Sequence, residues 1–423
     1  MKRFLQTDWL FIILLTLLSL FYIGGIKFVP FHPDESTYIY MSSDFDEAFS
    51  DVSALFWQAD KRDDARQRYR ELDAPITRYL IGIGRTMFGQ KALDVDWNWS
   101  MSWDENINGG AYPDPELLRI SRLSIAFLLP ISLTLMYSIG KQIQGKRLGL
   151  VSALLLGTNA VVLLHGRRAM AEGPLLMGIT LAIWSFLRAR GNPWLVGLGL
   201  AIAFNAKHSA LTLVPVGIYA IIYSQFRLKT NVWMALLKMI SMFIFITALL
   251  NPLYWNNPIQ AVKASIEARR ELVSHQIEDL NNIAPDRYLD TPAQRLGMML
   301  ANIYIGPAEH SLVGNLRDTQ KDVDTYISIP GHNMFRGVIW GAVFLILTIA
   351  GMYMAMRIFL GKKTNKKPEI AIIIFATFFQ GATLLAVPLP WVRFTIPLLP
   401  FVSFFAAYSL VPFFTREQTQ KNV

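Results

Sequence analysis

The sequence predicts an all-α polytopic membrane protein of about ten transmembrane helices, with two large outer loops carrying amphipathic helices. Three observations predict it. Hydrophobic residues make up 53% of the 423-residue chain against 17% charged, the mean hydropathy is +0.33, and apolar runs of about 20 residues recur from residue 9 to residue 414. A formal net charge of +9 could serve nucleic-acid binding. The basic residues instead sit in short connectors between apolar runs, so nucleic acid is not an expected partner. Cysteine is absent, which excludes a disulfide framework, a thiolate metal site and a cysteine nucleophile.

The first run, 9–29, follows Met1-Lys2-Arg3 and lacks a small-residue cleavage site, so it reads as a retained helix. Further spans are expected at 119–140, 148–165, 171–187, 194–206, 209–224, 232–250, 336–358, 369–387 and 394–414. Asn205 to His208 break an apolar stretch too long for one crossing, as the apex of a tight helical hairpin would. The long segments 30–118 and 251–335 are the two loops. Asp44 to Gly89 and Pro258 to Leu280 carry helical apolar periodicity within them. No repeat and no separately folding soluble domain interrupts this single domain over 1–423.

Sidedness follows from short connectors rich in Lys and Arg: Lys141, Lys146 and Arg147, then Arg188 and Arg190, Arg227 and Lys229, and Arg357 with Lys362, Lys363, Lys366 and Lys367. All fall on one side, with both termini, which places the termini in the cytoplasm and the loops outside. Arg167, Arg168, Lys207 and Arg393 break this trend by lying at outer helix ends. Cations there oppose the topological preference unless they hold something anionic, such as a lipid phosphate; headgroup binding or pairing with loop carboxylates is the plainer alternative.

Adjacent carboxylates stand just beyond the first span in Phe31-His32-Pro33-Asp34-Glu35-Ser36-Thr37-Tyr38. A partly desolvated carboxylate at the membrane boundary can serve as a general base. The same residues also read as the acidic first turn of a surface helix. Lys207-His208 reads equally as the polar turn of a hairpin, and Trp97, Trp99 and Trp103 as an interfacial anchor or a sugar platform. His165, His275, His310 and His332 show no metal-ligand spacing, and no Walker A, dinucleotide-binding or His-Glu-x-x-His motif is present. The span interiors are nearly free of Asp and Glu, which disfavours the alternative of a transporter or flippase for a phosphorylated lipid.

The His-Pro-Asp-Glu-Ser-Thr-Tyr segment resembles the acidic motif of GT-C glycosyltransferases of the protein-mannosyltransferase and aminoarabinose-transferase kind. Asp73-Ala74-Pro75-Ile76-Thr77-Arg78 is similar to that family's His-Pro-Pro-Leu-x-Lys segment, departing from it at Asp73 and Ala74. Arg119-x-x-Arg122, Gly166 to Glu172, Asn205 to Ala210, Asn251 to Pro258 and Pro390-Trp391-Val392-Arg393-Phe394 follow in the family's order.

The resemblance implies an inverting hexosyl- or pentosyltransferase of the plasma membrane, such as a bacterial inner membrane. It would take a polyprenyl-phosphate-linked sugar donor and a lipid, protein or polysaccharide acceptor on the extracytoplasmic face. Asp34 and Glu35 are then the catalytic pair, with Asp34 as general base. Arg78, Arg167, Arg168, Lys207, His208 and Arg393 are the expected donor-phosphate ligands, and Glu172, Asp73 and Tyr38 a second tier. A divalent cation, Mg²⁺ or Mn²⁺, bridging phosphate and Glu35 or Glu172 is compatible with this reading.

Overall fold

The computed structural model describes residues 2–189, 192–309, 320–361 and 367–419. His310, Arg190, Lys362, Lys363 and Lys366 lie outside them. Every regular element among the described residues is helical. In chain order the α-helices are α1 (Lys2–Gly25), α2 (Pro33–Met41), α3 (Asp44–Ser50), α4 (Ala65–Leu72), α5 (Ile76–Met87), α6 (Trp103–Asn108), α7 (Pro115–Ala126), α8 (Leu128–Gln144), α9 (Lys146–Gly157) and α10 (Ala160–His165). They continue as α11 (Glu172–Phe186), α12 (Pro193–Ala206), α13 (Val214–Leu228), α14 (Val232–Leu250), α15 (Pro258–Ile283), α16 (Pro292–Leu300), α17 (Gln320–Ser328), α18 (Gly337–Leu360), α19 (Lys367–Leu385) and α20 (Leu399–Thr419).

Seven helical segments among the described residues are long and apolar enough to cross a membrane: Trp9–Phe28, Pro115–Gln144, His208–Leu228, Val232–Leu250, Gly337–Leu360, Pro368–Leu385 and Val392–Pro412. Two expected spans, α11 and α12, are apolar but only 15 and 14 residues long. The expected span 148–165 differs more: it is two helices, α9 and α10. The break has a local cause, because Asn159 turns its side-chain oxygen onto the amides of Val161 (3.0 Å) and Val162 (3.4 Å) and restarts the chain as an N-cap. The expected interruption near Asn205 falls at Lys207, whose extended backbone ends α12 before a 3₁₀ turn, His208–Leu213.

Burial ranks the spans. In the Val392–Pro412 segment 89% of the apolar stretch is buried, while in α14 only 11% is, so that α14 presents most of its apolar surface outward, as a helix facing lipid does. Glycines permit the closest crossings. A Cβ on Gly140 of α8 would come within 2.6 Å of the Gly149 Cα on α9, and one on Gly351 of α18 would strike the Phe405 carbonyl on α20. With no water to drive helix association inside a bilayer, such small-residue seams let backbones approach.

The loop helices form a second layer. α2, α3 and α5 pack with α7, the first part of the Pro115–Gln144 segment, over an apolar cluster containing Phe31, Ile39, Ile81, Trp97, Leu118 and Ile125. Trp97 is 2% exposed and stacks edge-on to Trp103 at 4.9 Å. Trp97 is a core residue of the loop layer, which corrects both the anchor and the platform readings for it; Trp103 packs half-buried against that cluster, and Trp99 is exposed. The second loop supplies α15, which packs on α4, and α17.

Candidate functional site

The first loop turns into α2 through a capping box. His32 occupies the cap, its Nδ1 accepting from the Asp34 amide (3.1 Å), while Glu35 folds back to accept from the His32 amide (3.1 Å). Pro33 fixes the first helical position. This local geometry sends the two adjacent carboxylates in different directions.

Glu35 points inward and is fully buried. Arg122 grips it with two bonds, Nε to Oε1 and Nη2 to Oε2, both 2.7 Å, and the Ala169 amide adds a third at 2.9 Å. Arg122 also donates to the Val29 carbonyl (2.8 Å). Glu35 therefore ties α2 to α7 and to the turn before α11, with its lone pairs engaged by protein.

Asp34 points outward, its side chain 28% exposed, and accepts from Nη1 of Arg393, which is 15% exposed. Arg393 rides on the 3₁₀ segment Val392–Leu398 that leads into α20. Beside them Lys207 Nζ donates to Glu172 Oε1 (2.9 Å), and Glu172 Oε2 has no hydrogen-bond partner. Tyr38 sits one turn beyond Asp34 on the same face of α2. Burial first, then the charges of Asp73, Glu172 and Asp34, push its phenol well above the ordinary range. Asp73, the residue that ends α4, has its carboxyl raised by confinement against the opposing pull of Arg269, 3.7 Å away. Asp34, Tyr38, Asp73, Glu172, Lys207 and Arg393 thus form one mixed-charge cluster assembled from α2, α4, α11, the start of the 207–213 turn and the 392–398 segment.

Lys207 and Arg393 are thus themselves ion-paired, and the other expected cations are engaged elsewhere in the protein. Arg167 is buried against α1, donating to the carbonyls of Tyr22 (3.1 Å) and Phe21 (2.7 Å) and to the Tyr326 hydroxyl (3.1 Å). Arg168 forms a two-pronged pair with Glu309, both bonds 2.6 Å, and also donates to the Pro30 carbonyl. Burial pushes the Glu309 carboxyl up, yet Arg168 outweighs it and holds the group at about 2. Arg78 lies 2.9 Å from Asp44, which Arg70 also grips, and donates to the Asp73 carbonyl (3.0 Å). His208 packs its ring on Phe204 at 4.9 Å.

A cavity of about 410 Å³ opens next to the cluster, with Arg393, Trp391, His32, His165 and Glu309 in its wall. No group of three or more acidic or histidine side chains gathers to hold a metal among the described residues. Glu172 Oε2 is buried with no hydrogen-bond partner, whereas both oxygens of Glu35 are bonded by protein.

Sequence reasoning missed two members of this surface. Asp96 accepts from Thr37 Oγ1 (2.8 Å) and from the Tyr69 hydroxyl (2.5 Å), placing it behind Asp34. Glu309 is the partner of Arg168. Asp96 stands in an acidic loop stretch and Glu309 alone after Gly306-Pro307-Ala308, neither with a motif around it, so the sequence offers no local signal for either.

Residues 65–261 match the family model described as dolichyl-phosphate-mannose-protein mannosyltransferase. No curated protein sequence matches. Among solved structures, ArnT from Cupriavidus metallidurans, bound to undecaprenyl phosphate, aligns with 96% of this chain and 60% of its own at 12% identity and a TM-score of 0.54. The oligosaccharyltransferase AglB from Archaeoglobus fulgidus, in complex with an inhibitory peptide and a dolichol-phosphate, aligns with 97% of this chain and 51% of its own, at 13% identity and a TM-score of 0.51. The chain thus has the fold of these membrane glycosyltransferases while spanning only part of their length. The resemblance read from short motifs holds in fold across nearly the whole chain and in sequence across residues 65–261.

Proposed function

We propose that the chain is a membrane glycosyltransferase that moves a sugar from a polyprenyl-phosphate donor to an acceptor hydroxyl on the extracytoplasmic face, with both termini in the cytoplasm. The carrying observation is the Asp34–Arg393 pair at the rim of a cavity, beside Lys207 and Glu172. Asp34 accepts the proton of the acceptor hydroxyl as its oxygen attacks the anomeric carbon. The bond from that carbon to the phosphate oxygen breaks, and the electron pair leaves with the lipid phosphate. Lys207 and Arg393 stabilise that developing charge. One displacement inverts the anomeric centre, as the resemblance implies.

The remaining residues acquire supporting roles. Glu35 and Arg122 fix the helix that presents Asp34, and Arg167, Arg168 and Arg78 brace the surrounding turns. A divalent ion, where one is used, would be held by Glu172 and the donor phosphate, and would supply further neutralisation of the leaving group. The test is transfer of radiolabelled sugar from synthetic polyprenyl-phosphate donors by wild type and Asp34→Asn. Equal transfer by both removes Asp34 as base. Donor binding without transfer to any lipid, protein or polysaccharide acceptor favours a flippase.

A further inference from the structure

His32 and His165 both line the cavity of about 410 Å³ and both are almost fully buried. That volume lies within the range of roughly 300–1,000 Å³ for small-molecule sites. Each ring has one nitrogen engaged by the backbone and one with no protein partner. Buried polar atoms are nearly always paired, so two orphans in one wall are informative.

The engaged nitrogens fix the tautomers. His32 Nδ1 accepts from the Asp34 amide, so the ring proton sits on Nε2, the unpartnered atom. His165 is the reverse: its Nε2 lies 3.2 Å from the Ala308 carbonyl, which can only accept, so Nε2 holds the proton and the unpartnered Nδ1 is a lone pair. Burial, then the charges of Arg393 and Arg168, lower the His32 basicity and favour the neutral ring.

We propose that His32 and His165 form a neutral donor and acceptor pair that recognises hydroxyls of the sugar on the lipid-linked donor, with Trp391 as the apolar wall. This deepens the transferase reading above and rests on it. A phosphate offers acceptors alone, and its oxygens would face the His165 lone pair unfavourably. A sugar hydroxyl both donates and accepts, which matches the two nitrogens. Arg393, bonded to Asp34 and lining the same cavity, places that sugar next to the proposed base.

The test measures binding of undecaprenyl-phosphate hexoses and pentoses, and of bare undecaprenyl phosphate, to the full chain in lipid nanodiscs. His32→Asn keeps an acceptor for the Asp34 amide but lacks Nε2. His165→Gln keeps a donor for the Ala308 carbonyl but lacks Nδ1. Each variant should weaken binding of the preferred sugar-bearing lipid about tenfold, the scale of one neutral hydrogen bond, and leave the bare lipid unchanged. Equal weakening of both lipids, or no change in either, overturns the pairing. Sugar-dependent binding sensitive to both histidines, without transfer to any acceptor, would sink the transferase reading and leave the recognition site standing.

Discussion

Asp34 and Glu35 are consecutive in the chain and opposed in the structure: Asp34 meets Arg393 at the cavity rim, while Glu35 is locked by Arg122 inside the protein. A single capping box separates the proposed base from a carboxylate held by the protein.

Their variants should therefore fail differently. Asp34→Asn should lower transfer by roughly 10²–10⁴-fold, the usual contribution of a general base, with little change in thermal stability. Glu35→Gln leaves the Arg122 guanidinium buried without a matching charge, which typically costs about 3–5 kcal/mol. It should lower the melting temperature and the yield of folded protein. Thermal unfolding beside the transfer assay checks both, and a stable but inactive Glu35→Gln would return Glu35 to the chemistry.

How much of this was legible follows from range. Hydropathy and capping are local, so the helices and the loop helix beginning at Pro258 are readable from the residues. The placement of Asp34 at the start of a helix beyond the first span is readable too. Partner choice is not local. Asp34 finds Arg393 359 positions away, and Arg168 finds Glu309 141 positions away. Nothing in either neighbourhood tells Arg393 apart from Arg167 as a group that reaches the cluster.

That distinction gives the second prediction. Lys207→Met and Arg393→Met should each weaken binding of bare undecaprenyl phosphate by about tenfold, since each removes a charge-assisted contact. Arg167→Met should leave that affinity unchanged in whatever fraction folds, because its guanidinium is spent on α1 carbonyls and Tyr326. Lipid affinity equally sensitive to Arg167 would put that residue back among the phosphate ligands.

A third prediction concerns acid stability. The folded pKa of Glu309 is depressed to about 2 by Arg168. Its contribution to stability is thus fully present above the unfolded value of about 4.3 and is lost as pH falls toward 2. The double variant Arg168→Met, Glu309→Gln should flatten the fall in melting temperature between those limits relative to wild type. An unchanged acid profile would show that the pair does not govern it.

The last prediction separates positioning from scaffolding behind Asp34. Asp96 takes the Tyr69 and Thr37 hydroxyls on its two oxygens, and Thr37 lies on the helix that presents Asp34. In Asp96→Asn one of those hydroxyls faces an amide instead of an acceptor, so the first turns of α2 lose a restraint while Lys207 and Arg393, the proposed phosphate ligands, are untouched. kcat should fall by about tenfold, the scale of one misplaced hydrogen bond, with donor affinity unchanged. Tyr69→Phe should do the same, and the double variant should be no worse than either, because residues in one network do not add. Additive losses, or a fall in donor affinity tracking the melting temperature, would make Asp96 a packing residue only.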